Sequence, residues 1–436
     1  MSNVPLKRPL EDITGSRSGS PAPDQIRLRK ELDSVPLSTT PSLSTVKTKK
    51  QKLILNKFKP YYDYKPSYFL HSSNTIHFTP HPKFPDFYST EDCPLSGRRG
   101  FIYEKVSPNP LLPIIRYSSC EMEPYKPKLS LFDRSSSTLL SKDLQKVTTE
   151  KGWVSCRAEV PIKQGVTYFE FNVIKSDSKA HVRLGIGRRE AKLEGPVGYD
   201  GYSYGIRDIT GEGVHLSRRT QFMDGKGFRS GDVIGMLVCL PNEQGDGDIN
   251  MDQKLEQEQV RDIVRDQVVC GYKNRLYFEK FDYTSTMKMD HLHFPVTVYG
   301  EEAVPDSEMF KPDEIAGSYI RVFKNGVDQG ILFQNLYEFK NGCSEMSRNK
   351  INKNADNGLC GYYPMLSVFG GGIAEFNAGP EFKYPPKDLI GSDVKEYWEL
   401  YDEGIVEDMV WDMVDEIEAE FIQGSIDLAE KQEHLA

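Results

Sequence analysis

The chain has 436 residues, 38% apolar and 27% charged, a composition ordinary for folded, water-exposed protein. Its net charge of −9 argues against a body built to coat nucleic acid or an anionic membrane. No run of about 18 apolar residues occurs, so no membrane-spanning helix is expected. The seven cysteines, at positions 93, 120, 156, 239, 270, 343 and 360, are odd in number, and no two lie within four residues of each other. Neither a disulfide framework nor a paired-ligand zinc site fits that spacing, and buried free thiols in a reducing compartment do. The start, MSNVPLKRPLEDITGS, lacks the apolar stretch of a secretory signal.

Residues 1–59 read as a disordered segment rich in Ser, Thr and Pro, with twelve Lys or Arg against five Asp or Glu. Its basic residues gather at Lys47, Lys49, Lys50, Lys52, Lys57 and Lys59. That cluster suits a solvated linker, a nuclear-import signal or a DNA-phosphate contact. Residues 60–127 carry eleven prolines among many aromatics. Long helices are thereby excluded and regular sheet limited, so this stretch reads as extended chain laid over a folded body.

The body spans 128–391 and reads as β. In GVTYFEFNVIK, Phe169, Phe171 and Val173 share one face while Glu170 and Asn172 share the other. In HVRLGIG, Val182, Leu184 and Ile186 point one way and Arg183 away from them. DVIGMLVCL is apolar on both faces, as a central strand requires. Asn325-Gly326 between two apolar runs signals a type I′ hairpin. Without amphipathic helices between the strands, the pattern predicts an antiparallel sandwich. Segments 241–270, 280–316 and 341–358 break the pattern and read as mobile loop insertions.

Residues 392–436 change period. Val406, Met409, Val410, Met413, Val414, Ile417 and Phe421 form one apolar stripe at helical spacing, in a stretch dense in acids and free of bases from Glu396 to Glu430. Such a helix is marginal alone, so it either packs on its own body or fits the apolar groove of a partner. The Pro385-Pro386 break before it favours the partner.

No catalytic pattern emerges. Gly370-Gly371-Gly372 has no following Lys-Ser or Lys-Thr, Gly185-Ile186-Gly187 lies within a strand, and nucleophile-elbow and kinase signatures are absent. Paired carboxylates fall in loops and the last helix, where solvation accounts for them. His291 and His293 alternate as on one side of a strand, without a second ligand pair, so no metal is expected. The chain reads as a non-enzyme. One constellation stands apart: EGPVGYDGYSYGIRD sets Pro196, Tyr199 and Arg207 near the strand of Arg183, a grouping suited to an acidic or phosphorylated peptide. Core tyrosines beside surface ion pairs would account for the same residues.

The stretches KGWVSCRAEV, GVTYFEF, VRLGIG, GPVGYDGYSYGIRD, GDVIGMLVCLP and FKNGVDQG, in this order, resemble a SPRY domain, a concanavalin-like β-sandwich used in protein recognition. RLG, then PVGYDGYSY, a long insertion and FKYPPKDL narrow the resemblance, over about 128–425, to the Ash-two/Bre-two family and its fungal Bre-two branch. The resemblance implies a scaffold in a nuclear COMPASS-type complex that methylates the fourth-residue lysine of histone H3. It implies an acidic-peptide site for the WD-repeat subunit at Trp153, Arg183, Pro196, Tyr199 and Arg207. Animal members have Tyr where this chain has Trp153, which keeps an aromatic wall but loses a hydroxyl. The terminal helix would hold a dumpy-thirty-type dimer, and S-adenosylmethionine would belong to the SET-domain methyltransferase. Animal members also carry a zinc-finger and winged-helix region, for which this chain has neither Cys pairs nor helical periodicity; a weak direct DNA contact would fall to Lys47–Lys59. A ubiquitin-ligase adaptor would use the same sandwich but needs a cullin box or RING cysteines, and a lectin would usually be secreted.

Overall fold

The structure, a computed structural model, describes residues 78–90, 101–105, 124–241, 268–272, 275–281, 289–296, 311–338, 359–386 and 393–435. The disordered basic segment expected over 1–59, most of the 241–270 insertion and all of 341–358 lie outside these residues. The first strands are β1 (Phe78–His81), β2 (Phe84–Thr90), β3 (Phe101–Lys105), β4 (Leu129–Arg134), β5 (Leu139–Ser141), β6 (Lys146–Thr148) and β7 (Trp153–Ala158). Next come β8 (Gly165–Lys175), β9 (His181–Gly187), β10 (Ser203–Arg207), β11 (Gly213–His215), β12 (Arg218–Thr220) and β13 (Val233–Leu240). The series closes with β14 (Val268–Tyr272), β15 (Arg275–Phe281), β16 (Tyr319–Lys324), β17 (Val327–Gln334), β18 (Tyr363–Phe369), β19 (Ile373–Asn377), β20 (Val394–Glu396) and helix α1 (Tyr397–Leu435).

Two large antiparallel sheets face each other across one core. The first runs β1-β2-β5-β6-β19-β8-β13-β16-β17, with β20 parallel to β8, and the second runs β12-β11-β10-β9-β18-β7-β4. Alternation along the strands builds the core, as the sequence predicts. Phe169 and Phe171 of β8 and Val182, Leu184 and Ile186 of β9 are all 0% exposed. Each such side chain contributes roughly 1.5–3 kcal/mol by leaving water. The central strand β13 divides its apolar residues between two environments. Ile234, Met236 and Val238 enter the main core, while Leu237 packs with Tyr168 and Phe323 on the other face. The Asn325-Gly326 turn has both residues at positive φ, 49° and 77°, the geometry a type I′ hairpin needs.

Several expectations change on contact with the structure. Part of the proline-rich stretch is strand: β1 and β2 form a hairpin whose β2 pairs with β5, so residues 78–90 extend the first sheet. Pro80 lies in β1, the sheet's edge strand, where a missing N–H is tolerated, and Pro85 lies near the start of β2 at a position outside the paired register. Glu170, on the polar side of β8, is not solvated. It is 0% exposed and accepts backbone N–H bonds from Lys383 and Tyr384, at 2.8 and 2.9 Å. The FKYPP segment therefore covers that face. The carboxylates of the last helix are not all solvated either, since Asp412 is 1% and Glu416 8% exposed.

The insertion 280–316 is partly packed as well. β15 pairs with β14 and β3 in a small third sheet, and Met289 and Leu292 are buried against Val197, Tyr202 and Leu216. His291 and His293 lie in a 3-10 turn, Asp290–His293, and not on a strand. Among the described residues no cluster of three or more His, Cys, Asp or Glu could hold a metal ion, and no helix is long and apolar enough to cross a membrane.

Candidate peptide-binding surface

The inward turn of Val154, Val182 and Val368 sends their strand neighbours to the outer face of the second sheet. Two adjacent rows result. One holds Arg207, Arg183, Ser367 and Ser155 in register; the next holds His181, Phe369 and Trp153. The rings of the second row stack in series, Trp153 to Phe369 at 5.4 Å and Phe369 to His181 at 6.0 Å between centroids.

The loop carrying Pro196 and Tyr199 is pinned over these rows. The Ser155 and Ser367 hydroxyls lie 2.6 Å apart; Ser155 Oγ donates to the Gly195 carbonyl at 2.6 Å, and Val197 N–H donates to Ser367 Oγ at 2.8 Å. Gly198 then takes φ +83°, with an added Cβ falling 2.2 Å from the Val214 carbonyl oxygen, so only glycine fits. Beyond it, Tyr199 N–H donates to the Pro196 carbonyl at 2.9 Å, and Ser217 Oγ donates to the Tyr199 carbonyl at 2.7 Å. The buried Asp200 carboxylate accepts from Lys192 N–H, Tyr202 N–H and Ser203 Oγ, closing the loop on itself.

The two arginines differ. Arg207 Nη1 donates to Glu212 at 2.9 Å, and the same Glu212 oxygen receives the Thr210 hydroxyl at 2.7 Å. Arg183 has no ion pair among the described residues. Its guanidinium lies 5.1 Å from the Trp153 ring centroid, and its Nη1 reaches the Val197 carbonyl at 3.5 Å. Burial, and then repulsion from Arg207, lower its pKa to about 10, so it stays charged at neutral pH in a setting that would favour an added anion. A guanidinium on an aromatic ring with open donors is built to take a carboxylate or phosphate.

All five residues predicted for the site thus lie on or over one outer face. Sequence reasoning missed His181 and Phe369, which complete the aromatic row; His181 stands two residues from Arg183, so strand alternation would have found it. It also missed the two serines that hold the loop, for which no local signal exists.

At the other candidate surface, α1 begins on the sandwich. Tyr397 and Tyr401 are 1% and 4% exposed, and Tyr397 Oη donates to the Val160 carbonyl at 2.6 Å while accepting Val160 N–H at 2.9 Å. Farther on, the stripe is open. Val406, Val410, Ile417 and Phe421 are 53–64% exposed, Met413 and Val414 are exposed less fully, and Met409 is half-buried.

No family model matches the chain. It is 34% identical over 423 residues to "Set1 complex component ash2" of Schizosaccharomyces pombe, covering 96% of this chain and 60% of that protein. Its identity to "COMPASS component cclA" of Colletotrichum higginsianum is 32%, over 76% of this chain and 68% of that one. With "COMPASS component BRE2" of Saccharomyces cerevisiae it shares 28% over 76% of this chain and 89% of that one. The chain thus spans about 60% of the length of the fission-yeast relative. Among solved structures it is similar to the SPRY domain of human HERC1, with a TM-score of 0.31 and 11% identity over 58% of this chain and 99% of that chain. The order of motifs around Arg183, Tyr199 and Arg207 and the two-thirds coverage of the cclA relative agree: the chain belongs to the Ash2/Bre2/cclA family.

Proposed function

We propose that this protein is a non-catalytic scaffold and regulatory subunit of a nuclear COMPASS-type complex that methylates the fourth-residue lysine of histone H3. The relatives' names supply the complex, as Set1 or COMPASS components. The observation that carries the mechanism is Arg183, a half-buried guanidinium stacked on Trp153 with no carboxylate partner among the described residues. An acidic segment of the WD-repeat subunit would supply the missing anion, with Arg207 sharing it and Pro196 and Tyr199 forming the wall. The exposed stripe Val406, Val410, Met413, Val414, Ile417 and Phe421, with Met409 beside it, would seat in the groove of a dumpy-thirty-type dimer. Holding both partners, the chain would fix the SET-domain methyltransferase in a productive geometry. S-adenosylmethionine would belong to that enzyme, and the nucleosome would be met through the complex.

The test pairs affinity purification with a histone methylation assay, using the full chain and a Met413→Glu variant. The full chain should recover SET-domain and WD-repeat proteins with lysine-methylating activity, and the variant should lose only a small dimeric subunit. Recovery of cullin or RING-ligase components without methylation would replace this reading by that of a substrate adaptor. Retention of the small dimer by Met413→Glu would remove the helix assignment.

A further inference from the structure

The loop that carries Tyr199 meets a segment about a hundred residues later in the chain, and their junction has a chemistry of its own. Residues 289–296 are built onto that loop: Gly201 N–H donates to the Leu292 carbonyl at 2.9 Å, Tyr202 Oη to the Met289 carbonyl at 3.1 Å, and the Tyr202 and His293 rings lie 4.7 Å apart. Met289 and Leu292 are each 1% exposed, so the segment is firmly seated. Phe294, two residues past Leu292, is 46% exposed, and Val296 is 42% exposed. Between Phe294 and the site stands Lys192. Its ammonium lies 3.1 Å from the Phe294 ring centroid and 5.7 Å from that of Tyr199. The acids bearing on it are Asp290 and Asp200, and the Asp200 carboxylate is already engaged by two backbone N–H groups and a hydroxyl.

We propose that Lys192 and Phe294 form a second subsite on the Tyr199 side of the arginine pair, taking an acidic residue next to an apolar one in the same bound peptide. The inference rests on the acidic-peptide reading of the Arg183 surface. The subsite is continuous with that surface through Tyr199, whose ring is shared. Its cation adds to that of Arg183, and to that of Arg207, which Glu212 already shares, on the one surface that Tyr199 joins. Its half-exposed ring offers the incoming apolar side chain a flat face already braced by the Lys192 ammonium. Arg183 and Arg207 thus select for charge, and Lys192 with Phe294 selects for what stands beside it.

The test uses the full chain and two synthetic twelve-residue peptides, one of Glu and Gly only, the other with a single Leu placed at one end of the acidic run. Affinities are read by calorimetry for the unaltered chain, Phe294→Ala and Lys192→Gln, with thermal melts as folding controls. The Leu peptide should bind about three- to tenfold tighter than its partner. Phe294→Ala should erase that ratio while leaving the Glu/Gly peptide unchanged, and Lys192→Gln should weaken both. A preference that survives Phe294→Ala, or no preference for the Leu peptide, removes the subsite alone. Failure of the unaltered chain to bind either peptide removes the acidic-peptide reading and the subsite with it.

Discussion

Arg157 and Arg183 lie on the outer face of the same sheet, in adjoining rows two residues apart, and they are treated in opposite ways. Arg157 is 2% exposed and fully employed: Nε and Nη2 grip Asp133 at 2.5 Å each, and Nη1 donates to the Arg188 and Ala191 carbonyls at 2.6 and 3.0 Å. Burial pushes the Asp133 carboxyl up, but Arg157 and Arg189 outweigh it and hold the group below its ordinary range. Arg183 has an aromatic ring and one long contact to a carbonyl instead. A guanidinium whose counter-charge comes from within serves the fold. One that is left with a ring in place of a carboxylate is available to something from outside.

Removing the structural arginine is the severest way to press this contrast. Arg157→Ala would strip the buried Asp133 of its two short bonds and leave it the longer Arg189 contact at 3.6 Å, and should cost up to about 3–5 kcal/mol of stability in thermal or urea unfolding. Replacing Arg157 and Asp133 together by Met and Leu should recover most of that loss. A single Arg157→Ala variant as stable as the parent would show that the pair is incidental.

Arg183→Ala should separate binding from stability. Acidic-peptide affinity should fall by about 1.5–3 kcal/mol, with stability changed by no more than about 1 kcal/mol, the scale of a lost cation–ring contact. Equal damage to both readouts would erase the distinction between the two arginines.

A third base of the same sheet, the half-buried His215, completes the series from the other side. His215 stacks on Tyr204 at 4.0 Å, its Nδ1 donates to the Ser203 carbonyl at 2.9 Å, and its Nε2 has no partner among the described residues. With neither acid nor open edge, burial lowers its pKa to about 4, and the ring is neutral at pH 7. Unfolded, it takes a proton below about pH 6.5. Its contribution is therefore complete above that pH and fades as pH drops from about 6.5 toward 4. Between pH 7 and 5 the loss should be about 1–2 kcal/mol, and His215→Gln should flatten that part of the stability curve. An unchanged slope would mean that His293, whose pKa burial also lowers, governs the acid limb instead.

The parts of this molecule legible in its sequence are those fixed by neighbours one to four residues away. Alternation placed Phe169, Phe171, Val182 and Leu184 inward and Arg183 outward; Asn325-Gly326 marked a hairpin; three- and four-residue spacing marked α1. What escaped depends on distant partners. Glu170 falls on the polar face of its strand, but its cover, Lys383 and Tyr384, lies over two hundred positions later and leaves no local sign. The β1–β2 hairpin was hidden by prolines that its edge strand and an unpaired position accommodate. Asp133 and Arg157 carry no mark of pairing, and Met289 and Leu292 sat in a stretch too irregular to read as packed. Of the site, the arginines and the tyrosine loop were visible as composition, whereas the paired serines beneath were not.

One junction bears on how the two candidate surfaces cooperate. β20 lies in register beside β8 and ends at Glu396; α1 starts at Tyr397, with no linker between them and its first ring locked to Val160 on both hydrogen-bonding sides. The helix therefore leaves the sandwich on a set bearing, like a spar bolted at its root. Anything gripping the stripe near Val410 or Ile417 is aimed as well as captured. A single residue inserted just after Tyr401 would swing that grip by about 100° around the axis while keeping every contact residue in the chain. Assembly could then persist while the geometry it delivers is lost.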